Sequence, residues 1–461
     1  MAPRFGTSGL RGRVEDLGDG IVAGYTRAFL TAMPHRGRLL IGRDLRPSSP
    51  RIAAAVVAAA REAGLAVSDC GELPTPALAL AARTAGTAAV MVTGSHIPAD
   101  RNGLKFYAST GEITKADERA IMAAYGGDRI ADATTANRDP SALAAYARRY
   151  RDAFGPVALK GLRLGVWQHS SVARDLMVGL LADLGAEVTP LGRSDSFVPV
   201  DTEAIDAQTR ARLAAWVAEH RLHAVISTDG DADRPLVADD SGRVLPGDVI
   251  CTLTALALGA ETLVVPVTST TMIEATGRFS RILRTKVGSP HVIATMEAQR
   301  AAKPRIVGFE PSGGFLLGFE AEGPTGPIAP LMTRDCLLPI LVPLSDCARQ
   351  GKALSSLAAS LPARHTAADR LTDVAPERSE ALVRRLTGDA AERARIFARL
   401  GPEAEIDLTD GLRIRFVSGA VLHLRPSGNA PELRCYAEAD SSQAAETLVR
   451  HTLGTLRAAL A

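Results

Sequence analysis

The chain has 461 residues, room for three or four domains of about 100–150 residues each. Its composition, 46% hydrophobic and 23% charged with few aromatics, is that of a soluble globular protein. A formal net charge of +2 excludes a global field that would gather nucleic acid or an anionic membrane, so any anionic ligand must be held by local donors.

The N-terminal stretch "RFGTSGLRG" sets Thr7, Ser8 and Arg11 among three glycines, a possible anion contact or a flexible turn. It has no apolar core of the kind a secretory signal needs, and no uninterrupted apolar run approaches the ~18 residues of a membrane span. The five cysteines (Cys70, Cys251, Cys336, Cys347 and Cys435) are scattered and form no CxxC pair, which indicates neither a disulfide framework nor a zinc site. A reducing cytoplasm is the expected location.

Three segments then share one plan of apolar strand, polar loop, long helix and second strand. They begin at Leu39, at Leu162 and, in a weaker copy, at Thr262. The first two helices should stop at Gly64 and Gly185, each followed by a strand. Strand–helix–strand crossovers imply mainly parallel strands packed between helices.

Between the first two copies lies "MVTGSHIPADRNGLKFY", which puts Ser95 and His96 at the end of a short strand and Lys105 beyond a turn. The G-x-S-x-G elbow of the α/β-hydrolases is missing, so Ser95 has no such activation. Either the pair caps a turn or Ser95 arrives phosphorylated, which would carry about −1.5 to −2 charges.

After the strand "HAVIS" comes "TDGDADRP". Asp229, Asp231 and Asp233 at i, i+2 and i+4 would project to one side of an extended backbone and repel one another unless a cation neutralised them. Oxygen ligands favour Mg²⁺ or Ca²⁺. An EF-hand needs Gly at its sixth place and usually Glu at its twelfth, where this chain has Arg234 and Asp240. A solvated acidic turn is the plainer alternative; the adjoining Arg234 instead suits an anion bridging cation and guanidinium.

Further on, "VGFEPSGGF" places Glu310 and Ser312 on a glycine-flanked loop, where an acceptor-only carboxylate beside a hydroxyl suits the vicinal hydroxyls of a sugar. The tail changes character. "EIDLTDGLRIRFVSGAVLHLRPSG" alternates apolar and polar residues around Asp-Gly and Ser-Gly turns, and a helical segment closes the chain, as in an α+β domain on an antiparallel sheet. At its centre "LRPSGNAPELRCY" concentrates Arg425, Ser427, Gly428 and Asn429, the hydroxyl, amide and guanidinium donors that a phosphate needs.

These four stretches, in this order, resemble the α-D-phosphohexomutase superfamily over essentially the whole chain, and the wording of the loops leans toward its bacterial phosphomannomutases. The resemblance implies three related mixed or parallel-sheet α/β domains plus a C-terminal α+β domain around a central cleft. The expected domains are residues 1–155 with a phosphoserine loop, 156–258 with a magnesium loop, 259–365 with a sugar loop and 366–461 with a phosphate loop. It implies that Ser95 carries the phosphoryl group and binds one Mg²⁺ together with Asp229, Asp231 and Asp233. His96, Lys105, Arg11 and Arg234 would surround the transfer. Glu310 and Ser312 would contact sugar hydroxyls, and Arg425, Ser427, Gly428, Asn429 and Arg434 would grip the unreacting phosphate.

The reaction implied is interconversion of mannose 6-phosphate and mannose 1-phosphate through a hexose 1,6-bisphosphate, which also serves as activator. The same chemistry on glucose or glucosamine phosphates, or a non-catalytic sugar-phosphate binder, are the alternatives. The partners expected are small hexose phosphates, with neither nucleic acid nor membrane, in a monomer or homodimer. Two departures stand out: Gly314 and Ser289 lie where the family often has histidine, which leaves Lys105 and His96 as candidates for proton transfer.

Overall fold

The structure, a computed structural model, describes residues 3–6, 9–302, 304–427 and 431–460. The chain divides into two compact units, Met1–Thr262 with Gly288–Ser360, and Leu263–Val287 with Leu361–Ala461.

In the first unit the strand Arg38–Arg43 lies between two parallel neighbours, Ala66–Glu72 and Ala88–Val92. Ala88–Val92 is buried at every residue, as a strand covered by helices on both faces must be. The strands Arg101–Ala108 and Leu10–Arg13 then extend the sheet antiparallel, with Lys105 opposite Met91 and Arg11 opposite Gly103. Helix Ser49–Glu62 stops where expected. Gly64 stands at φ 81°, and the Gly64 and Leu65 amides donate to the carbonyls of Arg61 and Ala60. Gly185, at φ 96°, ends helix Arg174–Asp183 with the same pair of bonds, to Ala182 and Leu181. Glycine is favoured at both because a side chain is strained at that φ.

A second sheet sets Arg163–His169 between the parallel strands Glu187–Arg193 and Ala224–Thr228, with Pro235–Ala238 antiparallel at the edge. The acidic stretch is the connection from Ala224–Thr228 to Pro235–Ala238. A third group, Ile306–Phe309, Phe315–Leu317 and Leu331–Asp335, pairs antiparallel, so the sugar-loop candidates lie in the turn between its first two strands.

In the second unit, the third copy departs from the plan. After strand Thr262–Pro266 only one helical turn forms, Met272–Ala275. The Thr276 hydroxyl donates to the Ile273 carbonyl and Gly277 turns to φ 61°, which ends the helix before it can lengthen. The C-terminal sheet is antiparallel throughout, in the order His365–Thr372, Glu432–Ala439, Val421–Pro426, Leu412–Phe416 and Glu403–Asp407. Gly411 and Gly419, at φ 89° and 84°, make the two hairpin turns foreseen from Asp-Gly and Ser-Gly. Helix Ser442–Leu460 closes the chain. All five cysteines are buried and free, and among the described residues no helix is long and apolar enough to cross a membrane.

His423 in this sheet stacks on Tyr436 at 5.4 Å and bonds through Nε2 to the Asp410 carbonyl. Burial pushes its pKa down to about 4. The folded ring therefore stays neutral while the unfolded chain takes up a proton below about 6.5, so stability falls as pH drops from about 6.5 toward 4. His423→Phe keeps an aromatic stack and loses the titration. Thermal melts should show the variant less stable at pH 7 and the gap to the wild-type chain shrinking by pH 5.

Candidate active site

The loop bearing Ser95 is built around a buried arginine. Strand Arg38–Arg43 runs into Asp44-Leu45-Arg46, and the Arg46 side chain is fully buried. Its guanidinium donates to the carbonyls of Ser95 at 2.9 Å, Ile97 at 2.5 Å, Pro98 at 2.7 Å and Arg101 at 3.1 Å, and to Asp44 Oδ2 at 3.0 Å. Its outer face lies 4.0 Å from the centre of the Phe197 ring. Asp44 also accepts from Ser49 Oγ, Thr93 Oγ1 and the Gly94 amide. Gly94 is required here, since a Cβ would come within 2.6 Å of the guanidinium carbon. Ser95 follows at φ 55°, a conformation costly for serine and held by this network.

From that position Ser95 Oγ donates to Asp229 Oδ2 at 2.6 Å, and His96 Nδ1 lies 3.4 Å from the same hydroxyl. The acidic stretch is not extended. The Ala232 amide donates back to the Asp229 carbonyl, Ala232 sits at φ 54°, and the Asp233 amide donates to Asp229 Oδ1. The three carboxylates converge because the loop folds on itself, with ligand oxygens within 4.8 Å of one another. All three are buried, and Lys105 Nζ bridges Asp231 Oδ2 and Asp233 Oδ2, each at 2.6 Å. Thr75 Oγ1 donates to Asp231 Oδ2 at 2.6 Å.

Charge in this site follows from the partners. Burial and the two neighbouring carboxylates push Asp229 well above the usual carboxylate range. Burial acts on Asp231 in the same sense, but Lys105, the Thr75 hydroxyl and Arg334 outweigh it and hold Asp231 low. For Asp233 the opposing cations are Arg334, Lys105 and Arg234, and it too is held low. Burial, with Arg234 and Arg11 nearby, keeps the His96 imidazole neutral. Burial beside Arg234 and Arg334 lowers Arg11 to about 10. Arg234 Nε lies 3.8 Å from Asp233 Oδ1.

The sugar-loop candidates reach this cluster through Arg334. Its Nη2 lies 2.8 Å from Asp233 Oδ2 and its Nη1 3.2 Å from Glu310 Oε2. The Gly313 amide donates to the Glu310 carbonyl at 2.8 Å, Thr202 Oγ1 donates to the Ser312 carbonyl at 3.0 Å, and Ser312 is buried. Ser95, His96, Lys105, Arg11, Arg234, Asp229, Asp231, Asp233, Glu310 and Ser312 all belong to the first compact unit.

The remaining candidates belong to the second unit. Arg425 and Arg434 are directly opposite on neighbouring strands, a like-charge pair that an anion between them would relieve. Arg425 Nε lies 2.9 Å from Asp410 Oδ2, Arg434 Nε lies 3.6 Å from Glu432 Oε2, and the Ser427 amide donates to the Glu432 carbonyl at 2.9 Å. Gly428 and Asn429, like Thr7 and Ser8, lie outside the described residues.

Comparison with known proteins places this geometry. The phosphoglucomutase/phosphomannomutase models match in four consecutive blocks, alpha/beta/alpha domain I over residues 2–129, domain II over 145–242, domain III over 246–365 and the C-terminal domain over 375–453. The chain belongs to the phosphoglucomutase/phosphomannomutase family. A protein named phosphomannomutase from Sinorhizobium fredii (strain NBRC 101917 / NGR234) is 46% identical over 100% of both chains. Another of that name from Salmonella muenchen is 42% identical over 99% of this chain and 96% of its own. The crystal structure of a phosphoglucomutase/phosphomannomutase family protein from Burkholderia thailandensis superposes with a TM-score of 0.76 at 21% identity, covering 98% and 97% of the two chains. That likeness extends the shared fold of three α/β domains and a C-terminal α+β domain.

In this phosphohexomutase the two positions without histidine have definite occupants. A Cβ at Gly314 would meet the Arg334 side chain at 2.8–2.9 Å, so the arginine stem fills that space. Ser289 Oγ donates to Glu112 Oε2 at 3.0 Å, and Thr333 Oγ1 to Glu112 Oε1 at 3.1 Å. Sequence reasoning missed Asp44, Arg46, Thr75, Phe197 and Arg334. Asp44-Leu45-Arg46 at the end of an apolar strand was a usable signal; for Thr75, Phe197 and Arg334, whose partners lie tens of residues away or more, there was none.

The donor set fits a hard divalent cation. Oxygen carboxylates converge, and among the described residues no hydrogen-bond donor reaches the buried oxygens Asp231 Oδ1 and Asp233 Oδ1. Removing the Arg46 scaffold tests how far the loop depends on it. Arg46→Ala leaves four carbonyls and Asp44 without their donor and should destabilise the chain by about 3–5 kcal/mol in urea unfolding. Gly94→Ala should fold with a smaller loss but give turnover lower by at least ~10², because displacement of Ser95 by about 1 Å costs that much.

Proposed function

We propose that the chain interconverts mannose 6-phosphate and mannose 1-phosphate through a phosphorylated Ser95 and a hexose 1,6-bisphosphate. The observation that carries the reading is the Ser95 hydroxyl, 2.6 Å from Asp229 in a convergent triad of buried carboxylates. The names of the two full-length relatives supply the sugar. Asp229, Asp231, Asp233 and the phosphoserine would hold one Mg²⁺, which would neutralise charge on the transferring phosphoryl group.

The chain's own residues do the rest. The bond between Ser95 Oγ and phosphorus breaks as a bond forms from phosphorus to the free sugar hydroxyl. His96, whose Nδ1 lies 3.4 Å from Ser95 Oγ, takes the proton of the attacking sugar hydroxyl and passes it to the departing Ser95 Oγ, and carries it the other way when Ser95 takes back the other phosphate. Lys105, Arg11 and Arg234 orient the phosphoryl oxygens. Glu310 and Ser312 hold the sugar hydroxyls midway between the two phosphates, and Arg425, Ser427, Gly428, Asn429 and Arg434 hold the phosphate that is not reacting. Trace hexose 1,6-bisphosphate activates by phosphorylating Ser95.

³¹P NMR with Mg²⁺ and trace bisphosphate should show the 1-phosphate resonance growing from mannose 6-phosphate and much more slowly from glucose 6-phosphate. Equal rates would make the enzyme dual-specific. Ser95→Ala should reduce flux to background while leaving sugar-phosphate binding in place. Isomerisation at the full rate by that variant would overturn the phosphoserine mechanism. Chelation should stop turnover, and added Mg²⁺ should restore it.

A further inference from the structure

Arg334 is the residue through which the acidic loop and the sugar loop meet. It lies on strand Leu331–Asp335 and is 3% exposed. One guanidinium nitrogen is 2.8 Å from Asp233 Oδ2 and another 3.2 Å from Glu310 Oε2. The planar fork holds two carboxylates from different loops in one geometry, which the single ammonium of a lysine does not do. Three features of the surroundings fix its course. Gly314 leaves room for the stem, since a Cβ there would strike its Cβ, Cγ and Cδ. The neighbouring Thr333 is tied to Glu112, which Ser289 also holds. Lys105 occupies the same oxygen of Asp233 from 2.6 Å, so the carboxylate plane is set by two cations while Asp233 Oδ1 has no donor among the described residues.

We propose that Arg334 is a positioning residue that couples cation binding at Asp229, Asp231 and Asp233 to sugar binding at Glu310. By orienting Asp233 and Glu310 together, it makes the ordering of either carboxylate by its ligand favour the other. The coupling is reciprocal: sugar phosphate tightens the cation by the factor with which the cation tightens sugar phosphate. It rests on the proposed roles of these carboxylates.

The test is Mn²⁺ binding followed by electron paramagnetic resonance on the full chain, with and without mannose 1-phosphate, so the readout is affinity rather than turnover. In the wild-type chain the sugar phosphate should tighten Mn²⁺ by a factor within roughly 5–150. Arg334→Gln and Arg334→Lys should bring that factor close to one while each ligand alone still binds. Gly314→Ala, which changes no charge and only displaces the arginine, should reduce the factor too and keeps the test open if the Arg334 variants fail to fold. An unchanged factor in Arg334→Gln, or in Gly314→Ala where Arg334→Gln does not fold, overturns the coupling. So does a wild-type chain that binds both probes independently. A wild-type chain that binds neither overturns the functional reading itself, and the coupling with it.

Discussion

Three carboxylates buried within one folded loop are the constraint on which the first compact unit is built. Removing a carboxylate from water costs several kcal/mol even after relaxation, and three together also repel. The protein brings cations to them from separate parts of the chain: Lys105 from the first sheet, Arg234 from the loop itself and Arg334 from the third group of strands. Asp229 is the exception, since it faces a hydroxyl, Ser95, and is driven toward its protonated form by burial and its neighbours. A site poised in this way has an evident use for further positive charge, and two of its buried oxygens are without a donor among the described residues.

The serine that faces this cluster is held in an unfavourable backbone conformation, and the holding is done from beneath. Arg46 spends its guanidinium on main-chain carbonyls and Asp44, so no part of it is directed at a ligand. The result is a loop whose shape is set by buried hydrogen bonds rather than by side-chain packing. Such a scaffold suits a residue that must present one oxygen repeatedly at the same place, because the energetic cost of the strained Ser95 is met once, at folding.

At Gly314 the absence of a side chain is what makes room for the stem of Arg334. The glycine alone reads as a lost side chain. The structure shows the space beside it filled from strand Leu331–Asp335 by the stem of Arg334. Burial, with Arg234, Arg11 and Lys105 nearby, keeps the His96 ring neutral.

The sequence by itself determined the local units. Apolar strands such as Ala88–Val92, the glycine stops at 64 and 185 and the hairpin turns at Gly411 and Gly419 follow from residues a few positions apart, and each formed where the pattern placed it. The four functional stretches were legible for the same reason, since each is a contiguous run of a few residues with a recognisable chemistry. Their geometry was not. The aspartates converge through a folded turn rather than along an extended strand, because Ala232 takes a left-handed conformation that its side chain does not announce. The third repeat lost its long helix to one threonine and one glycine. Thr75, Phe197 and Arg334 came to the site only in the fold, because each acts on partners brought near by sheet pairing and helix packing. Contacts of that kind depend on where whole strands are laid, and no spacing within a single stretch records it.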